Sequence, residues 1–373
     1  MSLLDWFANL FAKEAKHYIF TPVAADMENI IFREGEHYLR LRLTEMFLKD
    51  DRKLFRKLVP VVSSVVSLQF GANAAQQLPN VAGPLALNLN EGSLGRGVQL
   101  NYSLTNLIPY RGGTVSVDAA LLAYVSKDYF HSFITLASSI SSLLTIGQLS
   151  AALKVADSVA GALQDLLDSG DKDVRLVFHN EYAGSDRLGG VSLTSGYFAV
   201  IGAETGKLDP SRLFVKNSRL CSGDKPESAQ PLTGYDYMLF STEAAQFRDD
   251  FRYFNEYNSL LYAAIEKGMI DKAEGDAVIR AGMLAVLKSD DLTYVDKARV
   301  AAALKAEYED RLSLLGSQDN LHAGESEWLN NRIAAIDPRV IGQKLSSLLE
   351  NGQLGSTSIT DKILRMLLNG EFG

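Results

Sequence analysis

The chain has 373 residues, 47% apolar and 22% charged, and a formal net charge of −8. That length supports a large buried core and two domains, while the negative charge repels a phosphate backbone and argues against nucleic acid as a partner. A single cysteine, Cys221, excludes a disulfide framework and a multi-cysteine zinc site, and "MSLLDWFANLFAKEAK" lacks the pattern of a secretory leader, so the expected location is cytoplasmic.

The amino-terminal stretch places Leu3, Leu4, Phe7, Leu10 and Phe11 at helical spacing with Trp6 at the border, which predicts a short amphipathic helix. Its apolar face suits docking on the body, on a partner subunit or on a membrane surface. The segment "NIIFREGEHYLRLRLTEMFL" then predicts a hairpin turning at Glu34-Gly35, whose second arm alternates Leu39, Leu41 and Leu43 with Arg40, Arg42 and Thr44. Strand character continues through "VVSSVVSLQF", "PLALNLN", "GVQLNYSLTNL" and "GGTVSVDAALLAYV", separated by turn-forming residues. Leu58 to Asn90 holds no formal charge, and Leu58 to Leu153 holds only six charged positions, so something is expected to bury this surface.

The period changes after residue 128. Phe130, Phe133, Ile134, Ala137, Ile140 and Leu144 form one helical stripe, and "QLSAALKVADSVAGALQDLLDSG" forms a second helix ending at Gly170. Tyr129 to Leu153 is 25 residues without charge, long enough for a span of about 20 residues. Eight of those positions are Ser or Thr, so the stretch reads as the first of a buried or partner-facing helical pair, with membrane entry only under a trigger.

Strands return in "DVRLVFHNEY", "VSLTSGYFAVIG", "RLFVK" and "YDYMLFST". From Thr242 onward the pattern is helical, with an apolar face through Phe247, Phe251, Phe254, Leu261 and Ile265. Asp271 with Glu274 and Asp337 with Pro338 read as helix starts, while Gly268, Gly316 and Gly352 read as stops. Residues 242–373 carry 15 basic and 21 acidic residues, a net of −6. The expected fold is α+β. A strand-rich, sandwich-like domain spans 1–241 with an inserted helical pair at 128–169, and an all-α domain spans 242–373.

Chemical motifs are sparse. "GAETGK" at 202–207 lacks the spacing of a phosphate loop, and no two of the five histidines sit at metal-ligand spacing on a helix face, so neither cofactor nor metal is expected. His179 and Glu181 share one face of a strand, as an acid/base pair would. Cys221 lies in the polar stretch "NSRLCSGDKPES", where Arg219 and Lys225 would lower its pKa. These three are the weak catalytic candidates of an unrecognised hydrolase.

The favoured reading is a non-enzymatic interaction or assembly protein that meets a protein partner, or copies of itself, through charge-poor surfaces. A membrane-active, conditionally inserting pore-former, peripheral at a membrane, is the alternative. The contact residues expected for either are Leu3, Leu4, Trp6, Phe7, Leu10 and Phe11 of the first helix, with Phe130, Phe133, Ile134, Ile140 and Leu144 of the helical pair.

Overall fold

Period-two runs of Val, Leu, Phe and Tyr form strands here because branched and aromatic side chains pack well on a pleated, covered surface. The computed structural model describes residues 3–13, 18–50, 52–53, 56–69, 75–83, 97–125, 136, 140, 148–168, 172–183 and 191–316. Its strands in chain order begin with β1 (Ile19–Val23), β2 (Tyr38–Phe47), β3 (Arg52–Lys53), β4 (Arg56–Leu68) and β5 (Gln76–Ala82). They continue with β6 (Gly97–Ser103), β7 (Ile108–Pro109), β8 (Val115–Val125), β9 (Lys172–Ala183) and β10 (Val191–Ser192). The last five are β11 (Gly196–Ile201), β12 (Leu213–Lys216), β13 (Arg219–Ser222), β14 (Gln230–Pro231) and β15 (Tyr237–Ala245). Five helices are described: α1 (Leu3–Lys13), α2 (Leu149–Asp168), α3 (Asn255–Ile270), α4 (Lys272–Lys288) and α5 (Tyr294–Gly316).

The chain divides into two units, Met1–Glu34 with Leu39–Ala244 and Gly35–Tyr38 with Ala245–Gly373. The first is built on two six-stranded sheets, one ordered β1-β11-β15-β2-β6 with β7 on β2, the other β10-β9-β8-β4-β3 with β5 on β4. Their facing sides share one core, to which β2 gives Leu39, Leu41 and Leu43, β4 gives Val62 and Val66, and β8 gives Val117, Ala119 and Leu121. Aromatic rings bridge the two sheets: Phe20 lies 5.2 Å from Phe178, and Phe178 stacks on Phe240 at 6.4 Å.

The outer face of the second sheet is covered as well. Val59, Val61 and Val65 of β4 and Ala120, Leu122 and Tyr124 of β8 pack under Leu3, Trp6 and Phe7 of α1 and Ala152, Val159 and Leu163 of α2. On the outer face of the first sheet, Ala199, Ile201 and Leu239 pack against Leu213 and Leu220 of the three-stranded sheet β12-β13-β14 and Leu232 just after it. The order of layers is therefore small sheet, sheet, sheet, helices. The α+β class with a strand-rich amino-terminal part and helices after it is the observed one.

One irregularity sets the phase of β9. Between Leu121 and Leu122 of β8 the register on β9 skips from Leu176 to Val174, leaving Arg175 as the extra residue of a bulge. Leu176 faces the sandwich core and Val174 faces the helices, although both numbers are even.

In the second unit, α3, α4 and α5 pack around Leu261, Ile279, Met283, Ala301 and Leu304. Asp271 caps α4 by accepting from the Ala273 amide at 2.8 Å. A buried ionic knot lies at the start of α5: Asp296 accepts from Tyr38 Oη at 2.7 Å, from the Arg248 amide at 3.1 Å and from Arg299 Nε at 2.6 Å. Tyr38 Oη in turn accepts from the Thr293 amide at 3.1 Å.

Several expectations are corrected. The first arm of the predicted hairpin is not a strand, since Ile31 makes only an isolated bridge to Thr194. The alternation in β2 gives way to burial on both sides from Leu43 onward, because Glu45 turns toward β13 and β15, where it accepts from the Leu220 amide and Tyr237 Oη. Helix does not begin at Thr242: β15 runs to Ala245, and a 3-10 turn at Asp250–Tyr253 precedes α3. Gly268 does not end a helix but lies inside α3, where its missing side chain admits Tyr308 and Gly275.

The charge-poor strands β4 and β8 are covered on both faces by this chain itself. Of the helical pair, α2 is the second member. Phe130, Phe133, Ile134 and Leu144 lie outside the described residues, as do "PLALNLN" and the helices expected after Gly316.

Candidate functional site

His179 and Glu181 do share a strand face. In the antiparallel register of β8 and β9, Asp118 sits directly opposite His179, and Ser116 opposite Glu181. The alternation of β8 sends Val117 and Ala119 into the sandwich core and Ser116 and Asp118 to the helix-covered face. His179 Nδ1 and Asp118 Oδ1 are 2.8 Å apart, and His179 Nε2 stands 4.0 Å from Glu181 Oε1.

Helix α1 supplies the other wall. Leu4, Phe7, Ala8 and Phe11 face Ser116, Asp118, Val177, His179 and Glu181 across a cavity of about 430 Å³. This falls at the lower end of the roughly 300–1,000 Å³ typical of small-molecule sites. The helix is held by the inward half of its apolar face: Leu3, Trp6 and Phe7 are buried, with the Trp6 and Phe7 rings edge to face at 5.0 Å. Leu4 and Leu10 are half-buried, and Phe11 is exposed at the rim.

Polarity rises along the cavity. Burial pushes the Asp118 carboxyl above its ordinary value, and the bond to His179, which pulls it down, does not cancel that shift. The Asp118 side chain is only 12% exposed, against 47% for His179 and 65% for Glu181. The pair thus runs from a buried, constrained carboxyl to an open one. Asp118 accepts hydrogen bonds, so its contact fixes the proton of neutral His179 on Nδ1 and leaves the Nε2 lone pair facing the cavity.

Cys221 is not part of this arrangement. It lies on β13 rather than in a surface loop and is 3% exposed. Burial, reinforced by Glu45, pushes its thiol up, against the lowering effect of Lys216 and Arg219, so the expected thiolate activation is reversed. The small sheet that carries it packs on the first six-stranded sheet, and His179 faces the helices on the second. The structure joins His179 and Glu181 and leaves Cys221 apart.

Among the described residues no group of three His, Cys, Asp or Glu side chains is placed to hold a metal ion. No described helix is long and apolar enough to cross a membrane. Ile140 is buried with the α2 face, so it covers the sheet rather than the surface. Asp118 was the residue missed from sequence. Its signal is its position as the one formal charge between Arg111 and Lys127, in an otherwise uncharged strand. No protein-family model, curated protein or solved structure matches the chain.

Proposed function

We propose that the protein is a non-enzymatic binding protein that takes up a small amphipathic ligand between α1 and the β8–β9 strands. The supporting observation is the joining, in one cavity, of an apolar helix wall with the fixed Asp118–His179 pair. Such a site offers orientation and apolar burial, the two requirements of small-molecule recognition. Titration of the full chain with neutral 3-phenylpropan-1-ol, followed by calorimetry, tests it. Binding is expected in the wild type and lost in Ala8→Trp, which fills the cavity from a solvent-exposed helix position. No binding by the wild type of this alcohol or of its amine and carboxylate analogues overturns the reading.

A second contact surface supports the interaction-protein reading. Met269 and Ile270 at the end of α3 are 61% and 82% exposed, and Leu314 and Leu315 at the end of α5 are 39% and 48% exposed. The two helix ends adjoin, since Gly268 abuts Leu312. Exposed apolar patches of this kind mark protein–protein contact, and here they favour a protein partner or a second copy of the chain. Light scattering that gives a strict monomer at high concentration, unchanged by Ile270→Glu, counts against the homo-oligomer. The membrane-active alternative would require α1 to withdraw Leu3, Trp6 and Phe7 from the sheet they now cover.

A further inference from the structure

We propose that the ligand of the α1–β8–β9 cavity is an organic cation, a primary or secondary ammonium group on a short arylalkyl or aliphatic stem. This rests on the cavity being a binding site, as argued above, and goes further by assigning the chemistry of the head group.

The polar wall is dominated by acceptors, to which Ser116 adds a hydroxyl that both donates and accepts. In the neutral imidazole, an ionised Asp118 accepting from Nδ1 leaves the Nε2 lone pair facing the cavity. Glu181 Oε1, a second acceptor, lies 4.0 Å from that nitrogen. Two acceptors at this separation are both within hydrogen-bond reach, about 2.9 Å, of a single nitrogen set between them. An ammonium group has three donors and no acceptor, so it satisfies both at once. A carboxylate or phosphate would bring further acceptors to acceptors.

Charge points the same way. Among the described residues no Lys or Arg lines the cavity, and the Asp118 and Glu181 carboxylates give its polar wall negative charge. The opposite wall fits the stem of such a ligand. Leu4 and Phe7 offer apolar surface, and Phe11, exposed at the rim, adds a ring face of the type that attracts cations.

The test compares three probes of one shape on the full chain by calorimetry: 3-phenylpropan-1-amine, 3-phenylpropan-1-ol and 3-phenylpropanoate. The amine is expected to bind roughly tenfold or more tighter than the alcohol, as a charge-assisted hydrogen bond implies, and the carboxylate weakest. Glu181→Gln, at an open position, is expected to lower amine affinity about tenfold and alcohol affinity by clearly less. If the alcohol binds and the amine binds no tighter, or if Glu181→Gln weakens both equally, the cation assignment is overturned and the binding site stands. If no probe binds, or if amine binding survives Ala8→Trp, the site itself is wrong and the assignment falls with it.

Discussion

Asp118→Asn separates a carboxyl kept for its charge from one kept for structure. The substitution preserves an acceptor for His179 Nδ1, 2.8 Å away, and removes the charge. Exchanging a charge-assisted hydrogen bond for a neutral one forfeits about 1 kcal/mol. Against this stands burial: the side chain is 12% exposed, and desolvation outweighs the His179 contact, so the folded state tolerates the charge less well than the unfolded chain does. The two effects oppose each other, and the balance shown by the raised pKa places Asp118→Asn within about 1 kcal/mol of the wild type at neutral pH, on the stabilising side.

The pH dependence supplies the sign. A carboxyl raised on folding contributes stability that is fully present below its unfolded value and is lost as pH rises through the folded value. The advantage of Asp118→Asn should therefore grow with rising pH and vanish on acidification. Urea unfolding at stepped pH, followed by far-ultraviolet circular dichroism, measures it. A loss above about 3 kcal/mol, the range expected for breaking a buried ion pair, or an advantage that grows on acidification, would refute the reasoning.

Three further outcomes follow from the packing. Gly275→Ala should destabilise by about 1–3 kcal/mol in urea unfolding, since its Cβ would fall 2.5 Å from the Gly268 backbone and 2.4 Å from Tyr308 Oη. Gly161→Ala, with nothing within 4 Å, should stabilise α2 by roughly 0.5–1 kcal/mol and raise Tm. Asp296→Ala removes the acceptor shared by Arg299 Nε, Tyr38 Oη and the Arg248 amide, leaving Arg299 with its contacts to Asp249 and the Arg248 carbonyl, and should destabilise the helical unit by about 3–5 kcal/mol; Tyr38→Phe, which removes one of these contacts, should cost about 1.5–3 kcal/mol. At Glu45, burial raises the carboxyl above the ordinary 4.5, so its stabilising contribution is present below that value and is lost as pH rises through the raised one. Glu45→Gln should flatten that slope, read as urea midpoints at stepped pH.

The α+β class was legible because period-two and period-3.6 runs are local signals: β4, β8, β9 and α2 follow directly from them. Pairing partners are not local. His179 and Glu181 could be placed on one face by their spacing, but Asp118 is 61 residues away from His179 in sequence and only register brings it opposite. The strand holding Cys221 was hidden by its turn. Asn217 and Ser218 both adopt positive φ, 51° and 59°, as a tight two-residue hairpin requires, yet Asn-Ser is a weaker signal than Asn-Gly. The same limit applies to charge depletion, which reports that a strand is covered and not by what. In β4 and β8 the cover is the opposite sheet and the helices of this chain.

The bulge at Arg175 makes strand length a heritable part of the site. Side chains alternate, so deleting that residue would either turn His179 and Glu181 into the sandwich core or turn Val174 out of the helix layer. Point substitutions at Arg175 leave the count intact, whereas a single-codon loss exchanges the two faces of half a strand. Variation across β9 is thus expected to tolerate changes of identity and to resist changes of length. An intact spacing between the bulge and His179 in a diverged sequence would point to a retained cavity even where Asp118 and Glu181 have been replaced.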